Sequence, residues 1–440
     1  MARLLIANCF TDELAGDAAR LPQAHLQTAA ASSHLLLWFA RDGDLIVLPE
    51  EPEPELLAYV TDMTGTDAAT LRLLVPPPGS TGTELLTGER LGNPHFREEL
   101  RKTLDGRPVD TILTLTPDAA VASLARFLGA EAAVPGYGFV SQGGGALVNS
   151  KAVFRAVAAG AGVPLPEGAV CTNRQDAEDA IMELIDAGRP VMLKRDYACG
   201  GLGNEILTPV PGVEPVGAGR ILQVGDRAAV REYLRDRWLW LTNDGHHPAV
   251  VERYFPDSRA IFVEFLIDDH GAAFSQQGEM LSAPVANAQV IPSPQLEAGP
   301  LAVLAAAGAR LCESLRSLGY RGFFCADAIV TKDGDVRFTE YNGRITGSTH
   351  IYTVIGGQIV GPDYARDRVL VEYCGWPVPS FAAAAGRLAE SGLAYDRETR
   401  TGVVIVKAYS HADGTIRYCV VAEDLAAAGR IRDRVESLFA

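Results

Sequence analysis

The sequence predicts a chain of the α/β and α+β classes, in which an N-terminal α/β unit precedes further α+β structure and a small C-terminal ββα unit. In the first third, short apolar runs alternate with helical patterns, which is typical of a parallel sheet covered by helices. Farther along, apolar runs come in pairs joined by turn sequences such as residues 332–335, which is typical of antiparallel hairpins. The length of 440 residues allows two to four such units.

The N-terminal third carries four strand patterns and one clear helix. Apolar runs predict strands at residues 3–10, 45–48, 71–75 and 111–116. A helical pattern then begins at Pro117-Asp118 and runs through Leu128. The first strand is not followed by the G-x-G-x-x-G sequence of dinucleotide-binding folds, so a nicotinamide cofactor is disfavoured. Residues 135–145 are rich in glycine and predict a functional loop or a domain junction.

The rest of the chain predicts further α+β structure. We expect helices directly after Lys151, at residues 175–187 and 298–318, and after Asp424. Strands are predicted at residues 190–195, near Ile206, and at 249–255, 260–267, 272–281, 323–330, 335–341, 403–408 and 415–421. The last two strands and the final helix form the ββα unit.

The composition limits the partners and the location of the protein. Its 39 basic and 55 acidic residues give a formal net charge of −16, so the chain as a whole repels nucleic acid and anionic lipid. An anionic ligand must therefore be held by a local cluster of positive side chains. No uncharged apolar run reaches the roughly 18–20 residues that span a bilayer, and the N-terminus lacks the pattern of a signal peptide. We therefore expect a cytoplasmic protein without nucleic-acid or membrane partners.

The seven cysteines are scattered, and none forms a C-x-x-C sequence. Such a set predicts neither a disulfide framework nor a structural zinc site. Most of these residues are expected to be buried thiols in a reducing compartment. Cys199 differs in its position, because it lies in a glycine-rich loop.

Two carboxylates predict a metal site. Asp327 and Glu340 fall on the two strands that flank residues 332–335, and adjacent antiparallel strands can bring them together. Glu340, Asn342 and Arg344 alternate along a strand and so point to one side. Carboxylate and amide oxygens are hard ligands of the kind that Mg²⁺ prefers, and a guanidinium suits a transferring phosphoryl group. Taken alone, the E-x-N-x-R pattern is also compatible with a solvated polar face.

The scarce lysines predict a phosphate-binding region. Lys194 ends a strand and precedes Gly200, Gly201 and Gly203, whose backbone N–H groups can approach phosphates closely. Lys151 begins a helix, where a lone lysine is more often a surface residue. The sequence is not a G-x-x-x-x-G-K-[ST] loop, and an isolated glycine cluster is more often an ordinary hairpin turn. Two of only five lysines nevertheless fall at these two places.

Residues 250–254 form an apolar strand that ends in a polar segment. The backbone of Glu252, Arg253 and Tyr254 can read the edge of an adenine ring while apolar side chains hold its faces. A buried strand edge is the simpler interpretation of this pattern alone.

Taken in order, these motifs resemble the ATP-grasp superfamily over roughly residues 148–375. The resemblance implies an ATP-grasp fold of two α+β subdomains with an α/β pre-grasp domain before it. The expected domains are a pre-grasp domain at 1–146, an N-terminal (lid) subdomain at 147–256, a metal-binding C-terminal subdomain at 257–376 and a small C-terminal domain at 377–440. The implied cofactors are ATP and Mg²⁺, with Mn²⁺ able to substitute.

The resemblance also implies roles for single residues. Lys151, Lys194 and the glycines 200, 201 and 203 would contact phosphates, and the segment from Glu252 through Arg253 to Tyr254 would hold adenine. Asp327, Glu340 and Asn342 would bind Mg²⁺. Arg344 would steady the γ-phosphate and an acyl phosphate, and it would act with Lys194 in catalysis. The sequence departs from the family pattern at two places: Asp257 and Arg259 occupy the region of the usual ribose-binding acid, and Gly343 stands where proline is frequent.

The activity that the resemblance implies is ATP-dependent formation of an amide with release of ADP and phosphate. At closer range, the three-part plan with its ββα tail at residues 402–425 resembles the ATP-grasp peptide ligases of pheganomycin-type biosynthesis. Such enzymes join the carboxylate of a modified amino acid to the N-terminal amine of a peptide. The expected partners are a small-molecule carboxylate and an amino-acid or peptide nucleophile, and the family suggests a homodimer. Two alternatives stay open: another ATP-grasp chemistry (carboxylation, thioester formation or alcohol phosphorylation) and a non-catalytic nucleotide-binding regulator.

The substrate sites are predicted by position alone. Residues 346–350 follow the metal strand and are expected to border the acyl site, and residues 142–145 are further candidates for contact with the acid. His350 can be a base for the amine, although a structural histidine is the commoner case. A groove lined by acidic residues is expected to receive the ammonium end of a peptide.

Overall fold

The computed structural model of the protein describes residues 1–11, 23–198, 200–282 and 284–439. Cys199, which the sequence singles out by its position, lies outside the described residues. Among the helices in these ranges, none combines the length and the apolarity that crossing a bilayer requires.

The N-terminal third forms an α/β unit. Its strands are β1 (Ala2–Ile6), β2 (Leu45–Val47), β3 (Arg72–Leu74) and β4 (Val109–Thr114). They pair in parallel in the order β3–β2–β1–β4. The helices of this unit are Gln23–Ser33, Pro54–Thr64, Gly88–Gly92, Pro94–Leu104 and Ala119–Leu128, with 3₁₀ turns at His34–Phe39, Ala68–Thr70 and Glu131–Ala133. The four predicted strands and the predicted helix are confirmed to within a few residues. Asp118 caps that helix by accepting the N–H of Val121 at 2.8 Å.

The glycine-rich segment at residues 135–145 is not an open loop. It forms two short helices, Tyr137–Val140 and Gly144–Leu147. The Phe139 ring packs edge-on against Tyr320 at 6.2 Å, which attaches the segment to the main body of the protein. The predicted helix at Lys151–Gly160 follows directly.

A five-stranded sheet comes next. Its strands are β5 (Gly168–Cys171), β6 (Val191–Arg195), β7 (Asn204–Thr208), β8 (Arg220–Gln223) and β9 (Ala249–Arg253). The order is β5–β9–β6–β7–β8, and all neighbours are antiparallel except β7 and β8. The helices Arg174–Asp186 and Arg227–Leu241 bury their apolar residues against it. Strands β5 and β8 were not predicted, because each has only four residues and little continuous apolar sequence.

The largest sheet has eight antiparallel strands. They are β10 (Arg259–Ile267), β11 (Ala272–Ser282), β12 (Ala286–Ile291), β13 (Gly322–Val330), β14 (Val336–Asn342), β15 (Val369–Pro377), β16 (Gly402–Ile405) and β17 (Thr415–Ala422). Their order is β14–β13–β10–β11–β12–β15–β17–β16. The helix Ala298–Leu318, predicted with these same bounds, packs on one face. Strands β12 and β15 and the π-helix at Ile351–Val360 were not predicted.

The predicted ββα tail is present, and it continues the largest sheet. Strand β17 pairs with β15 as well as with β16. The helices Phe381–Glu390 and Leu425–Glu436 belong to this region, with 3₁₀ turns at Tyr364–Arg366 before it and Ser437–Phe439 at its end. Trp38 donates its indole N–H to the Val406 carbonyl at 3.2 Å, so the tail also contacts the N-terminal unit. One apolar core is shared by the N-terminal unit, the eight-stranded sheet and the tail. The domain boundaries at residues 146, 256 and 376 stay a prediction.

Candidate active site

A cleft lies between the five-stranded and the eight-stranded sheets. Both sheets contribute to its lining, which includes Met192, Lys194, Tyr254, Phe262, Asp327 and Glu340. Its open volume counted to the mouth is about 1040 Å³. The lining combines apolar side chains with a few lysine and carboxylate groups, as is typical of small-molecule sites.

Lys194 is held at the cleft by a buried ion pair. It lies on β6, and its ammonium group contacts Glu252 on β9 and donates to the Thr339 carbonyl at 3.1 Å. Arg155 contacts the other oxygen of Glu252 at 3.0 Å. The carboxylate of Glu252 therefore neutralises two cations and fixes the position of Lys194. This role differs from the predicted one, in which Glu252 belongs to an adenine-binding segment.

Lys151 reaches the cleft from the start of its helix. Its Nζ lies 3.1 Å from Glu340 and donates to the Ala198 carbonyl at 2.7 Å. The helix start is anchored by Asp196, which accepts the Ser150 hydroxyl at 2.8 Å. Lys151 is only 5% exposed, so it is not the surface residue that its position alone would favour.

Asp327 and Glu340 face each other in the register of β13 and β14, as predicted. Their carboxyl groups hydrogen-bond each other. Burial, followed by the charge of Glu340, raises the pKa of Asp327 well above its usual range. Burial acts on Glu340 as well, but Lys151 and Lys194 outweigh it and hold the pKa of Glu340 below its ordinary value. Of the two carboxyl groups, Asp327 is therefore the one that binds a proton more readily.

Asn342 and Arg344 extend the same polar row. Asn342 donates its amide to Asp327 at 2.9 Å, and its oxygen accepts from Arg344. Arg344 also donates to the Asn149 side chain at 2.6 Å, across 195 residues of sequence. These contacts hold the guanidinium beside the acid pair.

The donor set fits a Mg²⁺ ion in its chemistry. Two carboxyl groups in contact repel each other when both are ionised, and a divalent cation can replace their shared proton. In the described ranges, no three histidine, cysteine or acidic side chains group closely enough to hold an ion by themselves. Phosphate oxygens and water would supply the remaining ligands, as is usual for Mg²⁺. The Asn342 oxygen faces Arg344, so its amide would have to turn before it could join the set.

The backbone of the predicted adenine segment is already engaged in part. The N–H of Arg253 donates to the Glu167 carbonyl at 2.7 Å, and that of Tyr254 donates to the Pro190 carbonyl at 2.8 Å. These two donors are therefore not directed at a base. Both residues still line the cleft, and the neighbouring Phe255 does so too.

The predicted glycine loop connects β6 to β7 and lines the cleft. Gly201 has a φ of 81°, and a Cβ there would lie 2.8 Å from the Gly217 carbonyl oxygen. A Cβ on Gly203 would lie 2.2 Å from the Ala198 Cβ. Only glycine fits these two positions, which brings backbone close to the cleft. A movement of this loop as a lid stays a prediction.

Close packing also requires glycine at position 343, where proline is frequent in the family. Its N–H donates to the Val148 carbonyl at 2.8 Å, which a proline could not do. A Cβ there would lie 2.4 Å from the Val148 side chain. Arg259, in the region of the usual ribose contact, pairs with Glu279 at 2.6 Å and so has another role.

Sequence reasoning missed Glu264, which lies on β10 beside the acid pair. It is fully buried, and it accepts hydrogen bonds from the hydroxyls of Thr346 and Ser348. Burial raises its pKa to about 7. The signal was available, since a single acid interrupts the apolar strand at residues 261–267.

His350 lies in the core rather than at the site. Burial lowers its pKa to about 3, and its ring lies 6.4 Å from that of Trp38. A neutral, fully buried imidazole does not suit the role of a base for the amine, so the structural interpretation holds.

Two segments of the chain match known domain families. Residues 33–130 match the model of the pre ATP-grasp domain, and residues 383–435 match that of the PGM1 C-terminal domain. No curated protein sequence matches the chain significantly.

Several solved structures share the fold. The ADP complex of PurK, N5-carboxyaminoimidazole ribonucleotide synthetase, has a TM-score of 0.59 and 12% identity, over 100% of this chain and 96% of that one. The biotin carboxylase domain dimer of Hydrogenobacter thermophilus 2-oxoglutarate carboxylase, with MgADP, ADP and bicarbonate, has a TM-score of 0.57 and 14% identity, over 99% and 89%. The L-amino acid ligase from Bacillus licheniformis has a TM-score of 0.55 and 13% identity, over 99% and 97%. These likenesses show the fold, which is an ATP-grasp fold with a pre-grasp domain before it and a C-terminal domain after it.

Proposed function

We propose that this ATP-grasp protein is an ATP-dependent carboxylate–amine ligase that activates a carboxylate as an acyl phosphate and joins it to an amine. The observation that supports the proposal most is the cleft in which Lys151, Lys194 and the glycine loop face the pair of Asp327 and Glu340. Positive groups and close backbone on one side of a cleft suit phosphates, and paired carboxylates on the other suit a divalent cation.

The residues of the chain divide the work of the first step. Lys194, which Glu252 holds in place, and Lys151 would neutralise phosphate oxygens of ATP. Arg344, which Asn149 and Asn342 hold in place, would offset charge on the transferring phosphoryl group and on the attacking carboxylate. The carboxylate of the substrate attacks the γ-phosphate of ATP directly while the site holds both in position, so no side-chain nucleophile is needed.

Asp327, Glu340 and Asn342 would hold the metal. A bound Mg²⁺ ion supplies charge neutralisation at the phosphates. Because burial and the charge of Glu340 raise the pKa of Asp327, a metal ion would compete with a proton for this carboxyl group.

The second step is attack of the amine on the acyl phosphate with release of phosphate. Water must be excluded, because it would hydrolyse the acyl phosphate. We expect the glycine loop to close over the cleft for this purpose. Glu264 interacts with the charge of Arg344 and accepts a hydrogen bond from Thr346, so these two residues are the expected surroundings of the acid.

The proposed substrates are a modified amino acid as the acid and an amino acid or peptide as the amine, in peptide natural-product biosynthesis in the cytoplasm. The fold does not separate this activity from carboxylation, because PurK, the biotin carboxylase domain and the L-amino acid ligase share it. A non-catalytic regulator is less favoured, since such a protein has no need of the complete set from Asp327 to Arg344. A homodimer is part of the proposal, and Mn²⁺ is expected to replace Mg²⁺.

The test is ADP release by the full chain with Mg-ATP, using amino acids and short peptides singly and in pairs, with mass spectrometry of the products. Release that requires both an acid and an amine, with a product one water lighter than their sum, is the expected result. Release that depends on bicarbonate would assign a carboxylase instead. Nucleotide binding without substrate-dependent release would favour the regulator.

A further inference from the structure

Lys407 is a largely buried lysine beside Arg417, and the charge of Glu372 acts on it from a distance. It lies just after β16, and its Nζ donates to the Ser32 hydroxyl at 2.8 Å. Within the residues that the structure describes, no carboxylate oxygen comes within 4.0 Å of this amine. Burial, followed by the charge of Arg417, lowers the pKa of Lys407 to about 8. The amine is therefore a cation at neutral pH in a place that disfavours charge.

Arg417 adds a second cation beside it. Its nearest carboxylate is Glu372, at 3.9 Å, and the other oxygen of Glu372 accepts from Gln289 at 2.6 Å. Two further neighbours are neutral, since burial lowers the pKa of His350 to about 3 and raises that of Cys374 to about 11. Two cations thus face one carboxylate.

The pair lies where a ligand can reach it. Cys9, which interacts with Lys407, follows the carboxyl end of β1, and ligands of parallel sheets bind in the crevice outside such ends. The Arg417 side chain is 38% exposed, so the cluster is open to solvent at its Arg417 end. In a chain of net charge −16, an excess of positive charge at such a strand end suits an anion.

We propose that Lys407 and Arg417 bind the free carboxylate of the amine-bearing substrate. The inference rests on the proposed ligase function. The carboxylate that is activated must reach Arg344 and the acid pair, so a second anion site holds a carboxylate that is not activated. An amino acid or peptide nucleophile has such a group, whereas a simple amine does not.

The two sites are joined by a short series of side-chain contacts. Gln289 on β12 contacts the Gly347 carbonyl at 3.4 Å, next to the expected acyl site, and donates to Glu372 at 2.6 Å. The other oxygen of Glu372 lies 3.9 Å from Arg417 on β17. A nucleophile whose amine reaches the acyl site can therefore extend its free carboxylate toward Arg417 and Lys407.

The experiment compares two random tetrapeptide libraries, one with free carboxylates and one of C-terminal amides, as amine source with Mg-ATP and the amino-acid panel. We expect the wild-type chain to consume the acids at least tenfold faster than the amides. Lys407→Met and Arg417→Gln should each bring this ratio close to one and leave the KM for ATP unchanged. Arg417→Lys should retain part of the preference. Lys332→Met, which removes an exposed lysine from the turn at residues 332–335, is the matched control.

Equal consumption of acids and amides by the wild-type chain would overturn the inference, as would a preference that survives both variants. If the protein releases no ADP with either library, the ligase proposal is rejected. Retention of the libraries by the full chain without ATP then decides the anion site by itself. Retention of the acids by the wild-type chain but not by Lys407→Met would support a carboxylate-binding site at Lys407. Equal retention of acids and amides would reject it. Displacement of the acids by inorganic phosphate but not by acetate would assign the site to a phosphate group instead.

Discussion

Lys194 and Glu252 form a buried ion pair across the neighbouring strands β6 and β9, and Arg155 contacts the second oxygen of the same carboxylate. The three side chains are each less than 10% exposed. A cation that is to meet phosphate is thus held in place before any phosphate arrives. The arrangement couples the stability of the five-stranded sheet to the position of a proposed catalytic residue.

Replacing Glu252 with glutamine should destabilise the protein strongly. Lys194 and Arg155 would keep their charges in a buried place without a carboxylate, at a cost of about 3–5 kcal/mol. Urea unfolding of the purified chain measures this loss. Glu167→Gln is the matched control, because Glu167 pairs with Arg189 at an exposed position and should cost less than about 1 kcal/mol. Similar small losses in both variants would contradict the role given to Glu252.

Glu340→Ala should abolish substrate-dependent ADP release while the fold stays intact. The variant removes one of the two carboxylates that face each other, so the metal loses a ligand. We expect a reduction of roughly 100-fold or more, as when a preorganised charge is lost from a transition state. Circular dichroism checks the fold. Asp333→Asn, in the exposed turn of the same hairpin, should keep full activity. A fully active Glu340→Ala protein would reject the metal assignment.

Gly201→Ala should weaken ATP binding. Alanine at a φ of 81° is strained, and its Cβ would collide with the Gly217 carbonyl, so the loop must move away from the cleft. We expect roughly tenfold weaker binding, or about 1.4 kcal/mol, by isothermal titration calorimetry. Gly212→Ala carries the same strain at a φ of 76° but meets no atom within 4 Å. If both variants bind ATP equally, the loop does not contact the nucleotide.

Glu264 should make the protein less stable as the pH rises. Its pKa is about 7 in the folded chain, against 4.5 for an ordinary glutamate, so the folded state binds more protons between these values. Stability is therefore highest below pH 4.5 for this group, and it falls as pH rises toward 7 and above, by about 3 kcal/mol in total.

The check is the difference in unfolding free energy between the wild-type chain and Glu264→Gln, measured at pH 5 and at pH 8.5. Titrating groups remote from Glu264 cancel in this difference, and Asp327, whose pKa Glu264 helps to raise, changes it in the same direction. The glutamine variant should gain relative stability at the higher pH. A difference that does not change with pH would mean that Glu264 is ionised in the folded state.

The sequence by itself determined the class of the fold and the acid pair. Alternation of apolar residues gives each strand its buried face, and a turn at residues 332–335 leaves few registers for Asp327 and Glu340. The helix Ala298–Leu318 was predicted to the residue, because its apolar residues repeat at helical spacing between clear ends. These are local properties, and they can be predicted from short stretches of sequence without knowledge of the rest of the chain.

The tertiary structure alone decided what each polar group meets. Periodicity tells which face of an element is buried but not which element covers it. The pairing of Lys194 with Glu252, the contact of Arg344 with Asn149 across 195 residues and that of Lys407 with Ser32 across 375 residues are therefore invisible in the sequence. The same holds for Glu264, whose raised pKa comes from burial under segments far away in the chain. Charge balance at a site is a sum over these distant neighbours, so only the folded chain fixes it.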